Sequence, residues 1–331
     1  MNTARRMWTA LLCGAVGLAC ATAPALAAPQ DAAGYPSRPI NLVVPYPAGG
    51  GTDTIARLVG KHLGERLGVP VIVENKPGAS GIVGNDQVAK AQPDGHTLLL
   101  AITALIQTPA LYDNIPYDAR KDLVPVSEVA RSSDLFVVHK DIPADTLQQF
   151  VALAKTNPGK YHYGNYGNGT SSHMHGEMFK LMTGTQITAV PFKGAAPLTT
   201  SILGGQVASA FVDVSSFNAN LTSDRIKILA ITGTQRHPQL PDVPTFQEAG
   251  MKGFEPNGWF GVFAPAGTPA SIVDKLSDQV QEIVRTDEVN GRLRSMGLTP
   301  VGNTPEAFAA VIEADMPYWA GIVKDANIVL E

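Results

Sequence analysis

Cysteine is almost missing from this chain of 331 residues: Cys13 and Cys20 are the only two, both inside the first 27. Beyond that segment there is no disulfide, no thiol nucleophile and no thiolate-bound metal. Charge is sparse as well, with Asp, Glu, Lys and Arg making up 16% of the chain. Of its 25 basic residues, Arg5 and Arg6 fall in the opening segment, so 23 face 29 acidic ones and the remainder carries a net charge of −6. No basic patch interrupts it, which argues against nucleic acid as a partner. Long apolar runs are scarce too. After the run from Met7 to Ala23, no stretch reaches the length of roughly 18 apolar residues that a membrane span needs.

That first run has its own meaning. Arg5 and Arg6 precede it, and Ala25-Leu26-Ala27 closes it with a small-x-small cleavage pattern. Residues 1–27 therefore read as a secretory signal peptide rather than an anchor. Cys20 follows Gly17-Leu18-Ala19, which lacks the aliphatic residue that heads a lipoprotein box. The expectation is export to the periplasm, and the length suits two lobes better than one small core.

What the sequence does have is glycine placed after strands. Ile40 to Val44 is an apolar strand pattern; Pro45-Tyr46-Pro47-Ala48-Gly49-Gly50-Gly51-Thr52-Asp53 follows, and a helix with Ile55, Val59, Leu63 and Leu67 on one stripe begins at once. Thr52 or Asp53 is expected to cap that helix. Glycines let a ligand reach bare N–H groups, and the first N–H groups of a helix have no internal partner and favour negative charge. The loop thus suits an anion. Two other readings stand beside it: a plain strand-to-helix turn, and a dinucleotide fingerprint built from Gly49, Gly51 and Thr54 with Glu74 as the ribose acid.

Further strands at Pro70–Glu74 and Thr97–Ile102, with a helix from Ile82 to Ala91 between them, predict a parallel sheet flanked by helices. Ligands then bind at the carboxyl ends of the strands. There the first glycine loop, the Gly78–Gly81 loop with Ser80, and Thr103 come together. After an apolar strand over Ser133–His139 a second series begins. Thr146 and Gln149 form a capping box, and a strand at Tyr161–Gly164 leads into Asn165-Tyr166-Gly167-Asn168-Gly169-Thr170-Ser171-Ser172 and a helix from about Ser172 to Met182. Gly169, Thr170 and Ser171 form a second socket of amides and hydroxyls. The tail is mostly helix and is expected to pack back on the first lobe, so the chain crosses between lobes near 133–139 and 254–262.

Several residues admit two roles. Asp213 ends a strand and either accepts a ligand ammonium or hydroxyl or caps the next turn. Lys193 either neutralises an acidic ligand or is solvated. Tyr46 and Trp259 either wall the pocket or fill the core. His173 is read as a donor at the helix start. His173, His175 and Glu177 do not share one helix face, and there is no HExxH pattern, so no metal is expected. Ser80 lies outside any Gly-x-Ser-x-Gly elbow, and no Ser/His/Asp set emerges.

The motifs in order resemble one family. They are Tyr35-Pro36-Ser37-Arg38-Pro39-Ile40, the glycine loop, Val73-Glu74-Asn75-Lys76-Pro77-Gly78-Ala79-Ser80-Gly81, Pro93-Asp94-Gly95-His96-Thr97-Leu98, Asn157-Pro158-Gly159-Lys160, Pro191-Phe192-Lys193-Gly194 and Trp259-Phe260-Gly261. Over residues 35–327 the chain is similar to the Bug family, periplasmic solute receptors of tripartite tricarboxylate transporters. The resemblance implies an α/β, two-lobed periplasmic-binding-protein (type II) fold with two interlobe crossings. It places lobe 1 at 28–134 and 257–331 and lobe 2 at 135–256. It implies a monomer that takes a small organic carboxylate, a di- or tricarboxylate or an acidic amino acid, to membrane permease subunits, without cofactor or catalysis. An exported enzyme or a dinucleotide-binding oxidoreductase are the competing classes. The implied ligand residues are Tyr46, Ala48, Gly49, Gly50, Thr52, Asp53, Ser80 and Thr103 on one side, and Gly169, Thr170, Ser171, His173 and Asp213 on the other. His175 departs from the pattern, which has a small residue there.

Overall fold

The computed structural model describes residues 34–112, 114–255 and 257–328. The expected leader at 1–27 lies outside them. In chain order the elements are β1 (Ile40–Val44), α1 (Gly51–Leu67), β2 (Val71–Asn75), α2 (Ile82–Ala89), β3 (Thr97–Ile102), α3 (Ala104–Leu111), β4 (Leu123–Ser132), β5 (Asp134–His139), α4 (Leu147–Thr156), β6 (His162–Asn165) and α5 (Ser171–Thr183). They continue with β7 (Thr188–Pro191), α6 (Ala195–Leu203), β8 (Ser209–Asp213), α7 (Val214–Phe217), β9 (Ile226–Ile231), β10 (Gly258–Pro265), α8 (Ala270–Arg285), α9 (Asp287–Ser295), β11 (Thr299–Pro300) and α10 (Pro305–Asp325).

The strands form two sheets, ordered β11-β4-β10-β3-β1-β2 and β7-β6-β8-β5-β9. Neither is wholly parallel, which corrects the expectation. In the first, β1 runs parallel to β2 and β3, while β10 is antiparallel to β3 and β4. In the second, β6 is parallel to β7 and β8, while β5 is antiparallel to β8 and β9. The reason is the crossing. A strand that arrives from the other sheet enters from the opposite end, so β10, returning late in the chain, runs against its neighbours. Only Ser133 separates β4 of the first sheet from β5 of the second.

Helices cover both sheets. Ile55, Val59 and Leu63 of α1 are buried with Ile272, Leu276, Val280 and Ile283 of α8 in one apolar cluster. Gly68 ends α1 at φ 72, where a glycine takes the left-handed conformation at little steric cost. Helix α10 packs on α3 and β4 on one side and on α5 on the other, so it touches both bodies. Its Trp319 is fully buried against His175 of α5, ring centroids 5.1 Å apart.

Candidate functional site

The two glycine loops are built alike. Helix α1 starts from Gly50, and α5 starts from Thr170. One residue earlier, Gly49 (φ 83) and Gly169 (φ 75) are left-handed. Three residues into each helix a side chain reaches back to that glycine. The Gly49 N–H donates to Asp53 Oδ2 at 2.9 Å, and the Gly169 N–H donates to His173 Nδ1 at 3.2 Å. This corrects three expectations. Neither Thr52 nor Asp53 is the helix cap; Gly50 holds that position with no side-chain cap bond. Toward its own loop the His173 ring is an acceptor, through Nδ1, rather than the expected donor. The N–H groups of Gly49 and Gly169 are already engaged, and those of Gly51 and Thr52, in the first turn of α1, have no intrahelical acceptor.

Asp53 is more than a latch. Its carboxylate also accepts from Arg57 Nε at 3.0 Å and Asn75 Nδ2 at 3.0 Å, and Asn75 donates at 3.0 Å to the Tyr46 carbonyl. The Arg57 guanidinium, helped by Gly49 and Asn75, holds the carboxyl down at about 2 against the cost of burial. Burial lowers His173, with Glu177 opposing, so the ring keeps a bare nitrogen for Gly169.

A cavity of about 430 Å³ lies between the two sheets, and five helices start at its wall. Gly51 and Thr52 open α1, Thr103 and Ala104 open α3, Thr170 and Ser171 open α5, Ala195 opens α6, and Asp213 with Ser215 opens the short α7. The volume suits a small metabolite. Of the expected ligand residues, Tyr46, Thr52, Ser80, Thr103, Gly169, Thr170, Ser171 and Asp213 line it. Ala48, Gly49, Gly50, Asp53 and His173 do not; they shape or hold the loops behind it. Trp259 lines it too, while packing on Phe308 at 5.2 Å, so it is both wall and core. Lys193 is exposed and lies outside the wall, and no Lys, Arg or His is among the lining residues.

Sequence reasoning missed half of the polar wall. Asp134, Ser132, Gln107, Tyr112 and Tyr166 all line the cavity. Tyr166 and Asn168 stood in the quoted glycine loop, but nothing in the loop's pattern told which side chains turn inward. Asp134 begins β5 directly opposite Asp213 on β8. The Tyr166 hydroxyl is 2.7 Å from Ser171 Oγ and donates at 3.4 Å to Asp134 Oδ1. Burial, then the charges of Asp134 and Asp213, drive its phenol well above the ordinary range, so it keeps its proton. Asp213 caps α7 by accepting from the Ser216 N–H at 2.9 Å and from the Ser215 hydroxyl. Burial pushes its carboxyl up, the nearby Asp134 adds to this, and those hydrogen bonds oppose it. Asp213 thus fills the capping role weighed for it while it also lines the cavity. His173, His175 and Glu177 turn to separate partners, namely Gly169, Asp134 and the pair Tyr163 and Lys180. Among the described residues no group of three or more metal-type side chains comes together.

Comparison with known proteins adds to this geometry. Residues 55–328 match the family described as tripartite tricarboxylate transporter family receptor. The chain is 35% identical over 322 residues to Protein BugT of Bordetella pertussis, covering 97% of this chain and 98% of that one. Among solved structures it is similar to R. palustris Rpa4515 with adipate, at 34% identity and a TM-score of 0.78, covering 89% of this chain and 99% of the other. It is also similar to MatC (Rpa3494) from Rhodopseudomonas palustris with bound malate, at 31% identity and a TM-score of 0.74, covering 87% and 100%.

Proposed function

This chain belongs to the tripartite tricarboxylate transporter receptor family, and on that basis we propose that it captures a small organic carboxylate in the cavity between its sheets and delivers it to membrane permease subunits. The observation that carries the reading is the wall itself: five helix starts and several hydroxyls, with no basic side chain among the described residues that line it. Helix N-termini supply N–H donors and a positive dipole end, which suit an anion without an arginine. The adipate and malate of the two structural relatives fit the same chemistry. Thr52, Thr103 and Ser80 add donors; the Thr170 and Ser171 hydroxyls donate to the Gly167 carbonyl and to Tyr166 and brace the second socket, while Ala48, Gly49, Gly50, Asp53 and His173 act from behind, by fixing the loops.

The lobes divide at the crossings, near 28–134 with 257–331 against 135–256; the single residue between β4 and β5 supports this, with Asp134 already paired in the second sheet. The receptor works in the periplasm as a monomer after loss of residues 1–27. No turnover is expected. The dinucleotide reading has little support, since Glu74 pairs with Lys76 at 2.6 Å and does not line the cavity.

Thermal shift and calorimetry against mono-, di- and tricarboxylates test this, with the acid followed by NMR. Stabilisation by a carboxylate that is recovered unchanged is the expected result. Consumption of the acid, or stabilisation by a nicotinamide dinucleotide alone, would overturn it. Gly51→Val places its side chain in open space at the wall, because an added Cβ meets nothing within 4 Å. It is expected to weaken binding about tenfold or more while leaving the melting temperature of the free protein within a few degrees.

A further inference from the structure

The cavity holds an acidic end that a plain carboxylate does not explain. Asp134 and Asp213 face each other across an antiparallel strand pair, both in the wall, and like charges directly opposite destabilise a sheet. No cation among the lining residues offsets them.

Asp134 is held from every side but one. Its N–H donates to Thr232 Oγ1 and its carbonyl accepts from the Thr232 N–H, each at 2.9 Å. Its Oδ2 lies 2.8 Å from Nδ1 of His175, a fully buried ring set among Phe211, Phe254 and Trp319. His175 Nε2 has no hydrogen-bond partner among the described residues. A ring that donates from Nδ1 leaves Nε2 as a bare acceptor, which costs less than a buried N–H without an acceptor. Its donation pins Oδ2 and leaves Oδ1 to the Tyr166 hydroxyl and the cavity.

Two more atoms point to a ligand. Ser132 Oγ and Gln107 Nε2 belong to lining residues that are 8% and 2% exposed, and neither atom has a hydrogen-bond partner among the described residues. Buried polar groups rarely stay unpaired. The wall therefore offers two kinds of group. Helix starts and Gln107 donate, Asp134 and Asp213 accept, and the Ser132 hydroxyl can do either.

We propose that Asp134, positioned by His175, selects a ligand that carries an ammonium group beside its carboxylate. The inference rests on the carboxylate reading above and narrows it. The carboxylate meets the helix starts, and the ammonium sits against Asp134 and Asp213, where one positive charge relieves the repulsion of two negative ones. A hydroxyl in that place donates a hydrogen bond but cancels no charge.

Calorimetry on matched pairs tests this: succinate with aspartate, glutarate with glutamate, and propanoate with alanine. The wild-type protein is expected to bind the amino member of at least one pair about tenfold or more tightly. Asp134→Asn is expected to bring that ratio within about threefold by weakening the amino member. His175→Asn, whose amide stands in for Nδ1–H, is expected to keep the preference, whereas His175→Phe loses it. If the plain acids bind as tightly as their amino partners, the proposal fails and the carboxylate reading stands. A preference that survives Asp134→Asn removes the role given to Asp134. Binding of neither series overturns both readings. The wild-type comparison decides the ligand class even if a variant does not fold.

Discussion

Asp53 and His173 occupy equivalent places in two helices and perform the same task with different chemistry. Each takes the N–H of the left-handed glycine four residues before it. Asp53 is held at about 2 by Arg57 first, so its latch stays charged through the ordinary pH range. A carboxyl depressed in the fold contributes stability above its unfolded value and loses it as pH falls through the folded one. Asp53→Ala removes acceptors from Gly49, Arg57 and Asn75 together, and should cost on the order of 1–3 kcal/mol in urea unfolding. Burial chiefly lowers His173 below the ordinary imidazole value of 6.5, with Glu177 raising it and Lys180 lowering it. Its contribution is therefore complete above that value and is lost as pH falls through the depressed one. On protonation Nδ1 becomes a donor and releases Gly169. Ligand affinity should show an acid limb with its midpoint below 6.5. His173→Asn keeps an acceptor that does not titrate, and should abolish that limb; an unchanged limb would place its origin elsewhere. Neither latch was legible beforehand. Both residues were singled out as ligand groups, because a sequence shows what sits near a helix start but not which way a side chain turns.

Among the elements, those with contrast along the chain could be read in advance. Helix α1 buries Ile55, Val59 and Leu63 at a spacing of four, and its capping glycine at 68 is plain. Thr146 caps α4 by accepting the Gln149 N–H, as the Thr146–Gln149 pair foretold. Helix α3 gave no such signal: Leu105, Ile106, Gln107 and Thr108 are all buried, so no polar face marks the period, and Pro109 sits inside it. Strand β4 was hidden for the opposite reason. It carries Glu128 fully buried, a residue type that suggests surface. Glu128 is tolerated there because Arg131 Nη2 donates to it at 2.9 Å and Asn303 Nδ2 at 3.1 Å. Helix α10 brings Asp315 to the same cluster. Burial, then Glu128, push its carboxyl up to about 6, with Arg131 opposing. A carboxyl raised in the fold stabilises most below its unfolded value near 3.8, and the gain disappears as pH climbs through about 6. Asp315→Asn should therefore stabilise by on the order of 2 kcal/mol at about pH 7.5 and by little at about pH 4. Equal effects at both would show that the charge is not the cause.

For the whole molecule, the two crossings are tied to each other and to the cavity. The Asp134 N–H donates to Thr232 Oγ1, and that hydroxyl donates at 2.9 Å to Asn257 Oδ1, one residue before β10. On β4 and β10, Ser132 stands opposite Gly258, where an added Cβ would meet the Ser132 carbonyl at 3.3 Å. Any rotation of one lobe on the other therefore pivots beside Asp134 and beside Trp259. Helix α10 spans the junction a second time, through Trp319 on His175. The two tryptophans of the described chain thus report different events. Trp259 lies in the cavity wall and senses the ligand itself. Trp319 is fully buried, does not line the cavity, and senses a shift of α10 against α5. With the protein purified without residues 1–27, which contain Trp8, Trp319→Phe leaves Trp259 as the fluorophore and Trp259→Phe leaves Trp319. Closure of the lobes around a carboxylate predicts a saturable emission change in both variants at a common midpoint. The midpoint in Trp259→Phe should rise when Gly51→Val crowds the first socket, in step with the affinity that variant loses. A response confined to Trp259 would mean that the ligand enters a cavity already in its final shape, with the ties at Thr232 and Asn257 holding the lobes fixed.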